Sequence, residues 1–112
     1  MVFVDGRKLA DDADFKSAAA TGTVQAAASS MRTNEGKWKP ITDAAGIGKA
    51  LAVKFEAAGY TRLYNLLGQY LSLNMDKEDF LSWLEEVGGS SMSRQNRVRC
   101  WAGIAKYVAD NM

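Results

Sequence analysis

The chain of 112 residues has no histidine, one cysteine and one proline. Without histidine it lacks the usual general base near neutral pH and the commonest metal ligand. A lone cysteine, Cys100, excludes an intramolecular disulfide framework and suits a reducing compartment. It has no partner at metal-ligand spacing, so it reads as a small packed residue rather than a nucleophile. Charge of one sign is also missing: 14 Lys and Arg against 13 Asp and Glu leave a formal +1. Bulk charge therefore announces no polyanionic partner. No apolar run approaches the ~20 residues of a bilayer span. Met1-Val2-Phe3-Val4-Asp5 meets an acid too early for a signal peptide, so a chain that is not secreted is expected.

What is present fits one folded domain: 47% of residues are hydrophobic and 24% charged. Bases gather at Lys49 and Lys54 and again at Arg94, Arg97 and Arg99. Between them lies an acidic block of Asp76, Glu78, Asp79, Glu85 and Glu86. The bases either collect on one phosphate-binding face or form ordinary solvated helix faces. The spacing of the carboxylates suits a solvated helix face better than a divalent-cation site. No metal, cofactor or catalytic group is expected, and the chain is not expected to be an enzyme.

The composition changes near residue 36. Residues 1–36 are rich in Ala, Ser, Thr, Asp and Gly and read as a partly ordered extension. A short strand or hairpin around Asp5-Gly6 is one possibility there. A helix over 14–32, interrupted at Thr21-Gly22-Thr23, is another. Residues 37–112 are strongly patterned. Lys37 to Ile41 reads as extended, because residues before proline avoid the helical region. Asp43 is a candidate cap for a short turn entering Gly46. A helix over 48–58 follows, burying Ile47, Leu51 and Phe55, with Gly59 as its stop. The next begins near Thr61 and carries Leu63, Leu66, Leu67, Tyr70 and Leu71. Gly68 lies inside it at a cost of about 1 kcal/mol relative to alanine. Either another helix approaches closely there or the glycine is indifferent. Asp76 caps a helix with Phe80, Trp83, Leu84 and Val87, stopped by Gly88-Gly89. Ser90, Ser91 or Ser93 caps a last helix with Val98, Trp101, Ile104, Ala105, Val108 and Met112 on one face. The fold class is all-α, a compact helical domain of four to five helices.

Ala44-Ala45-Gly46-Ile47-Gly48 precedes a helix and has the form of a helix-hairpin-helix turn. Glycine allows positive φ and puts no side chain between backbone and ligand. The following helix adds positive partial charge at its N-terminus. The other reading is a tight interhelical turn with no ligand. No strand precedes the turn and no Lys-Ser/Thr follows it, so it is not a nucleotide-binding P-loop.

Gly46-Ile47-Gly48, Gly59-Tyr60, Tyr64, Leu67-Gly68-Gln69-Tyr70-Leu71, Asp76, Phe80 and Trp83-Leu84 together resemble the barrier-to-autointegration factor family. The order and spacing are shared across residues 40–112. The resemblance implies a small SAM-like helical fold with a helix-hairpin-helix motif. It also implies a homodimer that bridges double-stranded DNA without sequence preference, in chromatin and nuclear-envelope organisation. Gly46, Ile47, Gly48 and Ala50 would offer backbone N–H groups to phosphate, and Lys54 a charge. Ser91, Arg94, Asn96 and Arg97 would form the second DNA-contacting element. Leu67, Gly68, Gln69, Leu71, Asp79 and Trp83 would form the dimer contact. LEM-domain proteins would dock across the dimer near Ile47, Ser72, Asp79 and Trp83. The chain is expected to be nuclear and/or cytoplasmic, and the same resemblance implies the nucleus.

This chain departs from the family's usual pattern in three places. It has extra N-terminal residues without the Lys-His-Arg-type cluster, a slightly longer segment between Gly89 and Trp101, and Ser72 at a usually apolar position. These departures fit an alternative, a dimeric protein-interaction module that has lost DNA. A helix-hairpin-helix subdomain of a larger repair enzyme is a third reading, disfavoured because no catalytic residues are in view.

Overall fold

The recurring apolar positions become helices that share one core. A computed structural model of the chain describes Leu9, residues 11–19, Val24, residues 31–33 and residues 35–111. Five α-helices run through them: α1 Ala13–Ala19, α2 Lys49–Ala57, α3 Leu63–Ser72, α4 Lys77–Gly88 and α5 Arg94–Asn111. Single 3-10 turns, Ile41–Asp43 and Gly89–Ser91, lead into α2 and α5. Among the described residues there is no strand, only two isolated antiparallel bridges, Arg32 with Trp38 and Pro40 with Arg62.

Local chemistry sets each boundary. Gly59, at φ 96°, closes α2: its N–H donates to the Glu56 carbonyl, and the Tyr60 N–H reaches the Phe55 carbonyl at 2.9 Å. This paired arrangement satisfies carbonyls that a helix end otherwise leaves open. Asn65 Oδ1 accepts from the N–H groups of Thr61 and Arg62, each at 3.0 Å, and fixes the start of α3. Asn74 and Met75, both at φ 59°, turn the chain towards α4. Asp76 Oδ1 then accepts from the Asp79 N–H at 2.9 Å, a side-chain cap. Of the three candidate serines, Ser93 caps α5, its Oγ accepting from the Asn96 N–H at 3.2 Å. Asp43 is the last residue of its turn, and Pro40 holds the N-cap position there.

Helix α5 is the centre of the packing. Its buried side of Val98, Trp101, Ile104, Ala105 and Val108 meets Leu63, Leu66 and Tyr70 of α3 and Phe80, Trp83 and Leu84 of α4 in one core. Phe55 of α2 joins through Trp83, ring centroids 6.0 Å apart. Helix α1 packs on α5, with Phe15 edge-on to Trp101 at 6.0 Å. Leu9, Ala18, Val24 and Met31 are buried in the same core. Lys77 holds α1 in place, its ammonium 2.9 Å from both Asp12 and Asp14 and over the Trp101 ring. The possible strand around Asp5-Gly6, the Thr21-Gly22-Thr23 interruption and Met112 lie outside the described residues.

Residues 31–33 and 35–39 run back along each other. Lys39 N–H donates to the Met31 carbonyl at 2.9 Å, and Gly36 turns the tip at φ 80°. The chain then runs extended beside the start of α3, with Ile41 N–H to Thr61 O at 2.9 Å and Leu63 N–H to Lys39 O at 3.0 Å. These bonds fix where Trp38 and Lys39 stand relative to the Gly46 turn.

Candidate nucleic-acid interface

The two glycines of the turn have different jobs. Gly46 sits at φ 81°, a conformation that L side chains rarely adopt. A Cβ there would collide with the Asn96 carbonyl oxygen and lie 2.9 Å from its carbonyl carbon. Gly46 therefore lets the turn rest on the backbone of the first turn of α5. Ala44, Ala45 and Ile47 are buried and pin the turn to the core. Gly48 has ordinary extended backbone, φ −89°, and a Cβ there would meet nothing within 4 Å. Its role is openness.

Gly48 is the N-cap of α2 and has no side chain to cap it. Its carbonyl accepts from the Ala52 N–H at 2.9 Å, the ordinary first bond of a helix. The first turn, Lys49-Ala50-Leu51, carries no acid. Gly48, Lys49 and Ala50 are exposed, so the start of α2 presents backbone donors and positive partial charge outwards. The N-terminal turn of α5 lies alongside, because Gly46 rests on Asn96. The two helix starts flank an open hollow of about 580 Å³, lined by residues 44–48 with Lys39, Thr42, Asp43, Asn96 and Arg99. Two cations and one carboxylate thus face it.

The other expected DNA-contacting residues are distributed differently. Lys54 Nζ donates to Ser91 Oγ at 2.7 Å and to the Gly88 carbonyl at 3.2 Å, riveting α2 to the α4–α5 junction. Arg94 pairs with Asp14 at 3.4 Å and stands 4.0 Å from Glu78. Arg97 turns towards α4, with Nη1 3.1 Å from Glu85 and a side chain only 16% exposed. Of the late segment, Asn96 lines the hollow. Arg99, three residues on and hence on the same helix face, was absent from the expected contact set. The i, i+3 spacing from Asn96 is the signal that finds it. Lys39 has no such signal, since only the pairing with α3 brings it to the hollow.

On α3, Leu67, Gln69 and Leu71 are half-buried and Gly68 is exposed. A Cβ on Gly68 would meet nothing within 4 Å, so none of the described helices approaches it. Ser72 and Asp79 are exposed too. Trp83 is buried, its ring 4.9 Å from Tyr60 and 5.6 Å from Phe80.

Burial alone raises the Asp12 carboxyl, but hydrogen bonds from Lys77 and the Phe15 N–H outweigh it and leave the carboxyl below its ordinary value. Burial likewise lowers Lys77, and bonds to Asp14 and Asp12 outweigh it and raise it. Burial pushes the Cys100 thiol up to about 12, which keeps it protonated and inert at neutral pH. Among the described residues no cluster of three His, Cys, Asp or Glu could hold a metal ion. No helix among them is long and apolar enough to cross a membrane.

A family model described as barrier to autointegration factor matches residues 31–111. The barrier-to-autointegration factor of Drosophila melanogaster is 45% identical over 49 residues, 44% of this chain and 54% of that protein. The Homo sapiens protein of the same name is 39% identical over 59 residues, 53% of this chain and 65% of that protein. Barrier-to-autointegration factor 1 of Caenorhabditis elegans is 43% identical over 51 residues, 46% of this chain and 57% of that protein. The chain therefore spans between about half and two thirds of the length of these curated relatives. With the glycine turn, the helix order and the match to residues 31–111 in agreement, the chain belongs to the barrier-to-autointegration factor family.

Proposed function

We propose that the chain binds double-stranded DNA through its phosphates, without reading base sequence, and bridges two duplexes as a homodimer. The carrying observation is the unobstructed Gly48 at an acid-free helix start, opening on a hollow with Lys39, Asn96 and Arg99. Backbone donors and flexible cations suit phosphate oxygens, which carry no sequence information of their own. The dimer contact falls on α3 around Leu67, Gly68, Gln69 and Leu71, with Asp79 and the region over Trp83 beside it. The role is one of binding rather than catalysis, and the location is nuclear.

The test is fluorescence anisotropy of the full chain with two unrelated blunt duplexes across a salt series. Equal affinities should fall with salt at a log–log slope of about −0.9 per phosphate neutralised. A marked preference for one sequence, or no binding at low salt, overturns the proposal.

One observation favours a second reading, a dimeric module for LEM-domain-like proteins that has lost DNA. Lys54, Arg94 and Arg97 are engaged within the chain, which leaves fewer bases for phosphate. Of the residues expected to meet such a partner, Ser72 and Asp79 are exposed while Ile47 and Trp83 are buried. A binder of this kind ignores duplex DNA at every salt concentration.

A further inference from the structure

Apart from Lys39, the segment of residues 31–33 and 35–39 has no part in the duplex reading, yet among the described residues it carries a conspicuous aromatic surface. Trp38 is 43% exposed and Tyr64, edge-on to it at 5.1 Å, is 41% exposed. The Arg32 guanidinium lies over the indole, 4.0 Å from its centroid. A groove of about 410 Å³ runs beside the pair, lined by Thr33, Lys37, Trp38, Pro40 and Arg62. The single acid in this stretch, Glu35, lies 3.7 Å from Lys37 at the hairpin tip. Aromatic rings are thus set among Arg32, Lys37, Lys39 and Arg62.

We propose that this face binds single-stranded nucleic acid, with unpaired bases stacking on the Trp38–Tyr64 pair and the surrounding bases neutralising the backbone. Exposed rings in a basic groove are the arrangement that tracks single strands, because every base offers a face to stack on. Arginine held on an indole extends the platform, since a guanidinium plane also accepts a base. A continuous duplex keeps its base faces stacked within itself and has little to offer these rings. Lys39 gives the site its place: successive residues of an extended segment point to opposite sides. Trp38 and Pro40 accordingly line the groove, while Lys39 lines the hollow at Gly48. A strand leaving a duplex held at the hollow would pass directly onto the hairpin. The inference rests on the duplex reading only in this continuity.

The test uses the full chain with a labelled oligothymidylate of about 16 nucleotides, at the upper end of such footprints, and a blunt duplex carrying the same label. Trp83 and Trp101 are buried, so Trp38 dominates the solvent-exposed tryptophan emission. Oligothymidylate should quench that emission saturably. Trp38→Leu should weaken its binding about tenfold and leave duplex binding within about twofold. Trp38→Phe keeps a ring and should retain most of the affinity, which separates stacking from a disturbed hairpin. Duplex binding without oligothymidylate binding overturns this site and spares the duplex reading. Binding of neither overturns both. Equal losses for the two ligands in Trp38→Leu, or a Phe variant as weak as the Leu variant, overturn the stacking platform.

Discussion

Helices α2 and α4 begin in opposite ways. Asp76 closes the start of α4 with a side-chain bond, and Glu78 and Asp79 stand in its first turn. The start of α2 has a glycine where that cap would be and no acid in its first turn. Both helices carry the same partial positive charge at that end. In α4 the chain neutralises it internally, and the helix gains stability. In α2 the charge and the free N–H groups are left facing outwards, and because glycine is itself a fair N-cap this forgoes only roughly a few tenths of a kcal/mol. A helix end left unsatisfied beside a second helix start, two cations and one carboxylate is what the proposed phosphate site uses.

Exchanging properties between these helix starts breaks the comparison most severely at Gly46. Gly46→Glu combines a strained φ with a collision against Asn96 and should destabilise the fold by about 2–5 kcal/mol. Loss of DNA binding in that variant would reflect loss of the turn. Gly48→Glu is the sharper probe, because its side chain enters open space. Its melting temperature should stay within a few degrees of wild type, since an acid near a helix start is favourable. Its duplex affinity should fall more than tenfold. Unchanged affinity in a folded Gly48→Glu protein removes the hollow from the DNA site.

Next in size is Gly68→Glu. Because a Cβ there is unobstructed among the described residues, the variant should fold normally and yet run as a monomer in sedimentation. A dimer that persists at micromolar concentration places the subunit contact elsewhere. Asp76→Ala should cost about 1 kcal/mol in chemical denaturation and leave duplex affinity unchanged. An affinity loss there would mean that the two helix starts are coupled.

The smallest effect lies in pH. Asp12 is held below its ordinary value, so its contribution is present above the unfolded carboxylate pKa and fades as pH falls through the folded one. Lys77 is raised, so its share is present below the unfolded lysine pKa and fades as pH rises through the folded one. The melting temperature should therefore be flat between about pH 5 and pH 9 and decline on either side. Asp12→Asn should flatten the acid limb. An unaltered acid limb in that variant assigns the decline to other carboxylates.

Helices α2 to α5 were legible in the sequence because Leu, Phe and Trp recur at helical spacing and Gly59, Asp76 and Gly88-Gly89 punctuate them. The docking of α1 was not. Its register depends on Phe15 meeting Trp101 and on Lys77 reaching Asp12 and Asp14, pairings between residues more than 60 positions apart. The Gly46-Ile47-Gly48 turn was legible, but the division of labour between its glycines was not, because Asn96 lies 50 positions away. Which of Arg94, Asn96 and Arg97 faces the hollow, and that Arg99 does so too, depends on the rotation of α5 about its axis. That rotation is set by what α4 and α1 offer it, Glu85 for Arg97 and Asp14 for Arg94.

The contact between Gly46 and Asn96 makes the spacing of two helix starts a fixed dimension of the molecule. With no side chain between them, the turn and the start of α5 meet backbone to backbone. On the proposed reading such a site would act as a mould: little ordering entropy would be lost on binding, and association would be limited by orientation and charge steering. Control over it has to come from outside the turn, through competing ligands or altered charge on its rim at Lys39, Asp43 and Arg99.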